Sequence, residues 1–263
     1  MEKDFTFTVY EDLIREIQKT GRQLFPLEDY FTRREGAPAF FILRHDVDRR
    51  PLNALRMAAL EHAFGVRATY YFRIRRNAFN GDVIRKIAAL GHEIGYHYEV
   101  MDKARGDLGR AERIFEDELG RLRALADIKT ASMHGNPLSS RDNREFWKHF
   151  SLSQFDLLGE AYVSVTDPDL YYVTDTGRGW NRDRYNVQDR FPGDGVRSLP
   201  SCSSTEELIR IIRRGRFKRI YLQVHPNRWS WGRVQWYRQW GEDLCLNAVK
   251  SFLNLSFRRN RAQ

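Results

Sequence analysis

Cysteine is nearly missing from this chain. Cys202 and Cys245 are the only two among 263 residues, too few for a disulfide framework or a thiolate metal cage. Long apolar runs are missing as well: no stretch approaches the roughly 18 residues of a membrane span. The opening residues, Met1-Glu2-Lys3-Asp4, are charged where a secretory signal carries its apolar segment. Cytoplasmic residence is the resulting expectation. No repeat, low-complexity segment, interdomain linker or recognisable nucleic-acid-binding motif is visible. What is present is a globular composition, 41% hydrophobic and 30% charged, which argues against disorder. We expect one domain over residues 1–263, with its core at about 40–230.

The net charge is +9. Basic residues cluster at Arg210, Arg213, Arg214, Arg216, Lys218 and Arg219, and again at Arg258, Arg259 and Arg261. Such clusters can attract phosphate, an anionic glycan or a membrane surface, so peripheral membrane contact is one reading. A solvated helix face is the commoner one.

Periodicity alternates along the chain. Helices are predicted at 6–24, 51–64 (opened by Pro51), 81–90, 107–126, 142–150, 204–214 and 232–257. In the last of these, Trp236, Trp240, Leu244, Val249 and Leu253 form an apolar stripe. Strands are predicted at 40–46, 68–72, 92–97, 129–134 and 219–225. Residues 151–200 are aromatic, loop-rich and poorly patterned. The rhythm predicts a parallel sheet with covering helices, open or closed into a barrel.

Four of the predicted strands end in chemically active side chains: Asp46 and Asp48, His97 with Glu99, His134, and His225. Sites in parallel α/β folds gather at that edge. Alternation puts Asp46 and Asp48 on one strand face and His45 on the other. Paired carboxylates leaving a buried strand call for a cation or a proton between them. Asp48, His97 and a third group could hold one divalent metal ion, zinc first, with cobalt, nickel or manganese as alternatives. His134 is the preferred third ligand and Glu99 the alternative. Asp46 could act as general base and His225 as proton donor. A structural pairing of the aspartates with Arg44 or Arg49 is the plain alternative. His45, His62, His92 and His149 are expected to be structural. Two aromatic loops could contact a sugar: Trp229 with Trp231, and the segment holding Asp175, Arg178 and Trp180. Asp175 could instead orient a histidine.

These motifs resemble the polysaccharide deacetylase (NodB-homology) family, carbohydrate esterase family four in the wider sense. The resemblance is carried by Arg44-His45-Asp46-Val47-Asp48, by Gly91-His92-Glu93-Ile94-Gly95-Tyr96-His97, and by Leu222-Gln223-Val224-His225, with the strand Ala68–Phe72 also fitting. It implies a distorted (β/α)7-type barrel with helical additions at both ends, and metal-assisted deacylation of amino sugars. Residue by residue it implies Asp46 as base, Asp48 and His97 as metal ligands, His225 as acid, and Met133-His134-Gly135 at a substrate-binding strand end. Two features depart from the pattern. Met101 stands where the family carries a second metal histidine, and the arginine-proline third motif is absent, which marks a divergent branch.

The expected activity is therefore metal-dependent hydrolysis of a carbon–nitrogen amide bond, as an N-deacetylase of an amino sugar in an intracellular glycan precursor. A metal-independent glycosidase using Asp46 and Asp48 and a silent glycan-binding scaffold are the alternatives.

Overall fold

The computed structural model describes residues 3–33, 37–136, 139, 141–181, 191 and 195–244. The chain opens with helix α1 (Phe7–Lys19), whose N-cap Thr6 accepts from the Val9 amide. The periodicity at 6–24 therefore covers two elements, because a short strand β1 (Gln23–Phe25) and helix α2 (Leu27–Thr32) follow. Strand β2 (Phe40–Val47) is buried along its whole length, as its near-continuous apolar sequence requires of a central parallel strand. Then come α3 (Pro51–Ala63), β3 (Thr69–Phe72), α4 (Gly81–Ala89), β4 (Glu93–Tyr98), the short α5 (Val100–Ala104), α6 (Leu108–Arg123) and β5 (Ile128–Met133). Pro51 sits in the first turn of α3, where its missing N–H costs nothing. Asn80 and Asp107 cap α4 and α6 by accepting from backbone amides.

The helix predicted at 142–150 is a 3-10 helix at Asn143–Lys148. The poorly patterned segment carries three strands, β6 (Gly159–Glu160), β7 (Leu170–Thr174) and β8 (Arg197–Ser198). Helix α7 (Thr205–Arg213) and strand β9 (Arg219–Val224) complete the labelled elements, and residues 233–244 are helical. Cys245, Val249, Leu253 and the basic residues Arg258, Arg259 and Arg261 lie outside the described residues.

Every pairing between these strands is parallel. The order β6-β5-β4-β3-β2-β9-β7-β8 makes a curled α/β half-barrel with helices around it, and β1 lies against the first residues of β2. This is the expected (β/α)7-like architecture, with the sheet left open between β6 and β8 among the described residues. One position is dictated by close approach: a Cβ on Gly95 would lie 2.2 Å from the Tyr71 ring. Only glycine admits that ring, whose hydroxyl meets Thr130 Oγ1 at 2.8 Å.

The topology delivers the site. Strands β5, β4, β3, β2 and β9 are consecutive neighbours, so their C-terminal ends form one rim holding His134, His97, Asp46, Asp48 and His225.

Candidate metal centre

Asp46 lies on the same face of β2 as Arg44. Arg44 Nε donates to Asp46 Oδ1 at 2.8 Å, and its Nη2 donates to Oδ2 at 2.7 Å. Gln223, from the neighbouring β9, adds a third donor to Oδ2 at 2.5 Å. Arg44 is itself fully buried and donates to the hydroxyls of Tyr221 and Tyr162, each at 3.2 Å. Burial alone would raise the Asp46 pKa. Arg44 and His97 outweigh that and hold it at about 2.

Asp48, just beyond β2, meets two imidazoles. His97 Nε2 lies 3.5 Å and His134 Nδ1 3.1 Å from its Oδ1, and the two ring nitrogens are 3.3 Å apart. All three candidate ligand atoms fall within 4.8 Å of one another. His97 Nδ1 faces the Ser132 carbonyl at 3.0 Å. A carbonyl only accepts, so Nδ1 carries a proton and Nε2 is the nitrogen that faces the carboxylates. Burial disfavours the His97 imidazolium, but Asp46 and Asp48 overcome this and raise its pKa. At His134 burial prevails over Asp48 and the pKa falls. The buried Asp48 Oδ1 has no hydrogen bond of good geometry despite this company. An orphaned carboxylate oxygen facing two imidazole nitrogens is the donor set of a divalent first-row ion, and the residues fit one.

The His134 backbone is fixed from both sides. Its amide donates to the Tyr98 carbonyl at 2.8 Å, and its carbonyl accepts from Asn143 Nδ2 at 2.9 Å. Asn143 Oδ1 also accepts from the Met101 amide at 3.0 Å. Met101 is buried in the core, so this one asparagine ties the start of α5 to the strand end that carries His134.

Glu99, the alternative ligand, is not in this set. Chain extension ends at Tyr98, and Glu99 caps α5 with its carboxylate on Arg73 at 2.5 Å, on Arg75, and on Lys103 at 3.1 Å. Burial is its largest single influence, but those cations hold its pKa at about 2.

His225, at the end of β9, turns Nδ1 to Asp175 Oδ1 at 2.6 Å, and its amide donates to Oδ2 at 3.0 Å. Arg228 and the Trp229 indole also donate to Asp175, at 2.7 and 3.0 Å. Asp175 is thus fully buried, with both oxygens engaged by groups of the protein itself. Its own burial works to raise its pKa, and Arg228 and His225 more than offset this.

The remaining aromatic assignments are corrected. Trp180 and Trp229 are wholly buried: Trp180 donates to Thr205 Oγ1, and Trp229 packs on Phe5 and Tyr10. Neither has a face for a sugar ring. Trp231 is half exposed but stacks on Phe7 with ring centroids 3.7 Å apart. The stripe of Trp240 and Leu244 faces solvent, while Gln239 and Asp243 of the same helix are buried. Arg178 is on the rim, with Nη1 3.2 Å from Asp243 Oδ2.

His45 points away from the site, as strand alternation requires, and meets Glu61 of α3 at 2.7 Å. His92 is structural: its Nδ1 accepts from the Ala68 amide, and its Nε2 faces the Ala58 carbonyl. Arg44 was visible in the sequence only as a plain ion-pairing partner. Gln223 was missed, although its place two residues before His225 puts it on the same strand face.

The chain is similar to polysaccharide deacetylases of known structure. One is a candidate polysaccharide deacetylase from Mycobacterium smegmatis, at 16% identity and TM-score 0.47 over 84% of this chain and 87% of that one. A CE4 family pseudoenzyme from Bacillus anthracis matches at 16% identity and TM-score 0.36 over 72% and 71% of the two chains. A variant of the peptidoglycan deacetylase PdaC from Bacillus subtilis matches at 14% identity and TM-score 0.36 over 71% and 88%. No protein-family model matches the chain, and neither does any curated protein.

Proposed function

We propose that this protein is a metal-dependent hydrolase of carbon–nitrogen amide bonds, an N-deacetylase of an amino sugar in a glycan precursor. The observation that carries the reading is the meeting of Asp48, His97 and His134 within 4.8 Å, with the His225–Asp175 pair on the same rim. These three residues would hold the metal ion. When bound, such an ion polarises an acyl oxygen and makes water acidic enough to attack near neutral pH.

The chain's own groups supply the rest. Asp46 is kept ionised by Arg44. Three donors fill three of its roughly four acceptor positions, leaving one to orient the attacking water and take its proton. A carboxylate with a pKa near 2 is a weak base, so its main contribution is orientation and charge. His225, held at Nδ1 by Asp175, keeps Nε2 for the departing amine. The same geometry weakens the glycosidase reading: that reaction needs one carboxylic acid able to donate a proton, and Asp46 is locked as carboxylate.

We take residues 1–263 as one catalytic unit. We place the reaction in the cytoplasm, supported by the low cysteine content and by Cys202, which is buried and unpaired. No helix of the described residues is long and apolar enough to cross a membrane. The test is amidase assay on N-acetylated amino sugars before and after metal stripping. Activity should vanish with the metal and return with added zinc, cobalt, nickel or manganese. Undiminished turnover by metal-free protein would end the proposal.

A further inference from the structure

Three arginines on the rim each have one guanidinium nitrogen without a hydrogen-bond partner, and the Arg178 group also lies over the rings of Phe5 and Trp236 at 5.4 and 4.9 Å. Arg50 Nη1, Arg73 Nε and Arg178 Nη2 are all buried and lack a hydrogen-bond partner. The Arg178 side chain is only 7% exposed. Buried donors are costly to leave unpaired, so each such group calls for an acceptor. Arg50 and Arg178 also stand on left-handed backbone, each with φ of 58°. Non-glycine residues avoid that region unless the surroundings impose it, and such positions gather at ligand sites.

Arg73 borders the candidate metal centre, and Arg50 and Arg178 stand in loops that follow β2 and β7 on the same rim. Arg50 follows Asp48 by two residues, and its amide donates to the Asn77 carbonyl in the loop after β3. Arg73 opens that loop, with Nη1 3.9 Å from Asp48 Oδ1. Arg178 reaches from the loop after β7, and its Nη1 donates to the carbonyl of Arg228, the residue that steadies Asp175. Their counter-charges are too few. Arg50 pairs with Glu242 at 2.7 Å, Arg178 with Asp243 at 3.2 Å, and Arg49 shares both acids at 3.4 and 3.5 Å. With Arg238 also on Glu242 at 3.2 Å, four guanidinium groups divide two carboxylates, while Arg73 shares Glu99 with Arg75 and Lys103. Burial lowers the pKa of both Arg50 and Arg178, as expected of cations short of partners.

We propose that Arg50, Arg73 and Arg178 form an anion subsite beside the metal centre that takes the phosphoryl group of a phosphate-bearing amino-sugar substrate. The forked donors of arginine match phosphoryl oxygens in pairs. The substrate half of the proposal rests on the amide-hydrolase reading, while the phosphoryl half rests on the rim alone. A nucleoside diphosphate and a lipid diphosphate present the same group.

Calorimetric titration of the full chain with inorganic pyrophosphate tests this, after chelator stripping and gel filtration so that no metal can hold the anion. We expect binding with a dissociation constant below about 1 mM, weakened at least tenfold in Arg50→Gln and in Arg178→Gln. Arg50→Lys, which keeps the charge without the fork, should recover part of the loss. No binding by the wild type, or equal binding by folded Arg→Gln variants, overturns the subsite. If the variants do not fold, the wild-type titration decides alone. A nucleoside diphosphate or a prenyl diphosphate binding more tightly than pyrophosphate supports the subsite and tells the two sources apart. Pyrophosphate binding without amidase activity would sink the hydrolase reading and leave the subsite standing; activity without binding would do the reverse.

Discussion

Arg44 and Asp46 stand two residues apart on β2 and close a two-point ion pair with side chains 0% and 2% exposed. Breaking a buried pair from one side leaves an uncompensated charge, which costs about 3–5 kcal/mol. Arg44→Met should lose stability of that order in urea unfolding. The double variant Arg44→Met/Asp46→Leu should recover much of it, because both charges are then gone. A double variant no more stable than the single would show that the pair is not what the strand depends on.

The ligand set makes a discriminating prediction. Substitution of Asp48, His97 or His134 by Ala should weaken zinc binding by more than the ~10–100-fold that loss of an outer partner costs. Glu99→Gln should leave the metal content unchanged, since Glu99 is spent on Arg73, Arg75 and Lys103. Metal analysis after dialysis reads both. Zinc retained by His134→Ala and lost by Glu99→Gln would reverse the assignment.

Asp175→Asn keeps the shape beside His225 and removes the charge that orients it. General acid–base catalysis is worth about 10²–10⁴-fold, and kcat should fall within that range while KM changes little. Because Asp175 also binds Arg228 and Trp229, the comparison is made on protein whose melting shows it folded. An unchanged kcat would remove His225 from the proton-transfer role.

Glu93 tests a buried group away from the metal centre. Burial raises its pKa from 4.5 to about 7, although Thr69, Thr130 and the Glu28 amide all donate to it. Between those two values the folded state holds a proton that the unfolded chain has lost. Stability therefore falls as pH rises from 4.5 to about 7, by about 3 kcal/mol, and is flat above. Glu93→Gln, which mimics the protonated form, should flatten that slope. A wild type equally stable at pH 5 and pH 8 would contradict it.

Much of the fold was legible because its causes are local. A wholly buried parallel strand reads as an unbroken apolar run, so β2 stood out at 40–46. Pro51 marked the start of α3, and apolar periodicity marked α4 and α6. Alternation along β2 separated Asp46 from His45 correctly, since side-chain direction on a strand follows from parity alone. Strand β7 was not legible, because half its environment comes from β8 and β9, far along the chain. The helix at 6–24 was read too long because β1 continues its apolar pattern.

The site divides along the same line. From its sequence alone the chain determined which strand ends carry ionisable groups, and that they share one rim, because parallel strands all point their C-terminal ends the same way. Which of those groups meet was decided only by tertiary structure. His134 rather than Glu99 faces Asp48, because chain extension stops at Tyr98 and three cations claim Glu99. Trp180 and Trp229 went into the core rather than to a ligand, and Arg44 turned a candidate base into a clamped carboxylate. Each outcome depends on neighbours distant in sequence, and the competition among charges for partners is settled only when packing brings those neighbours together.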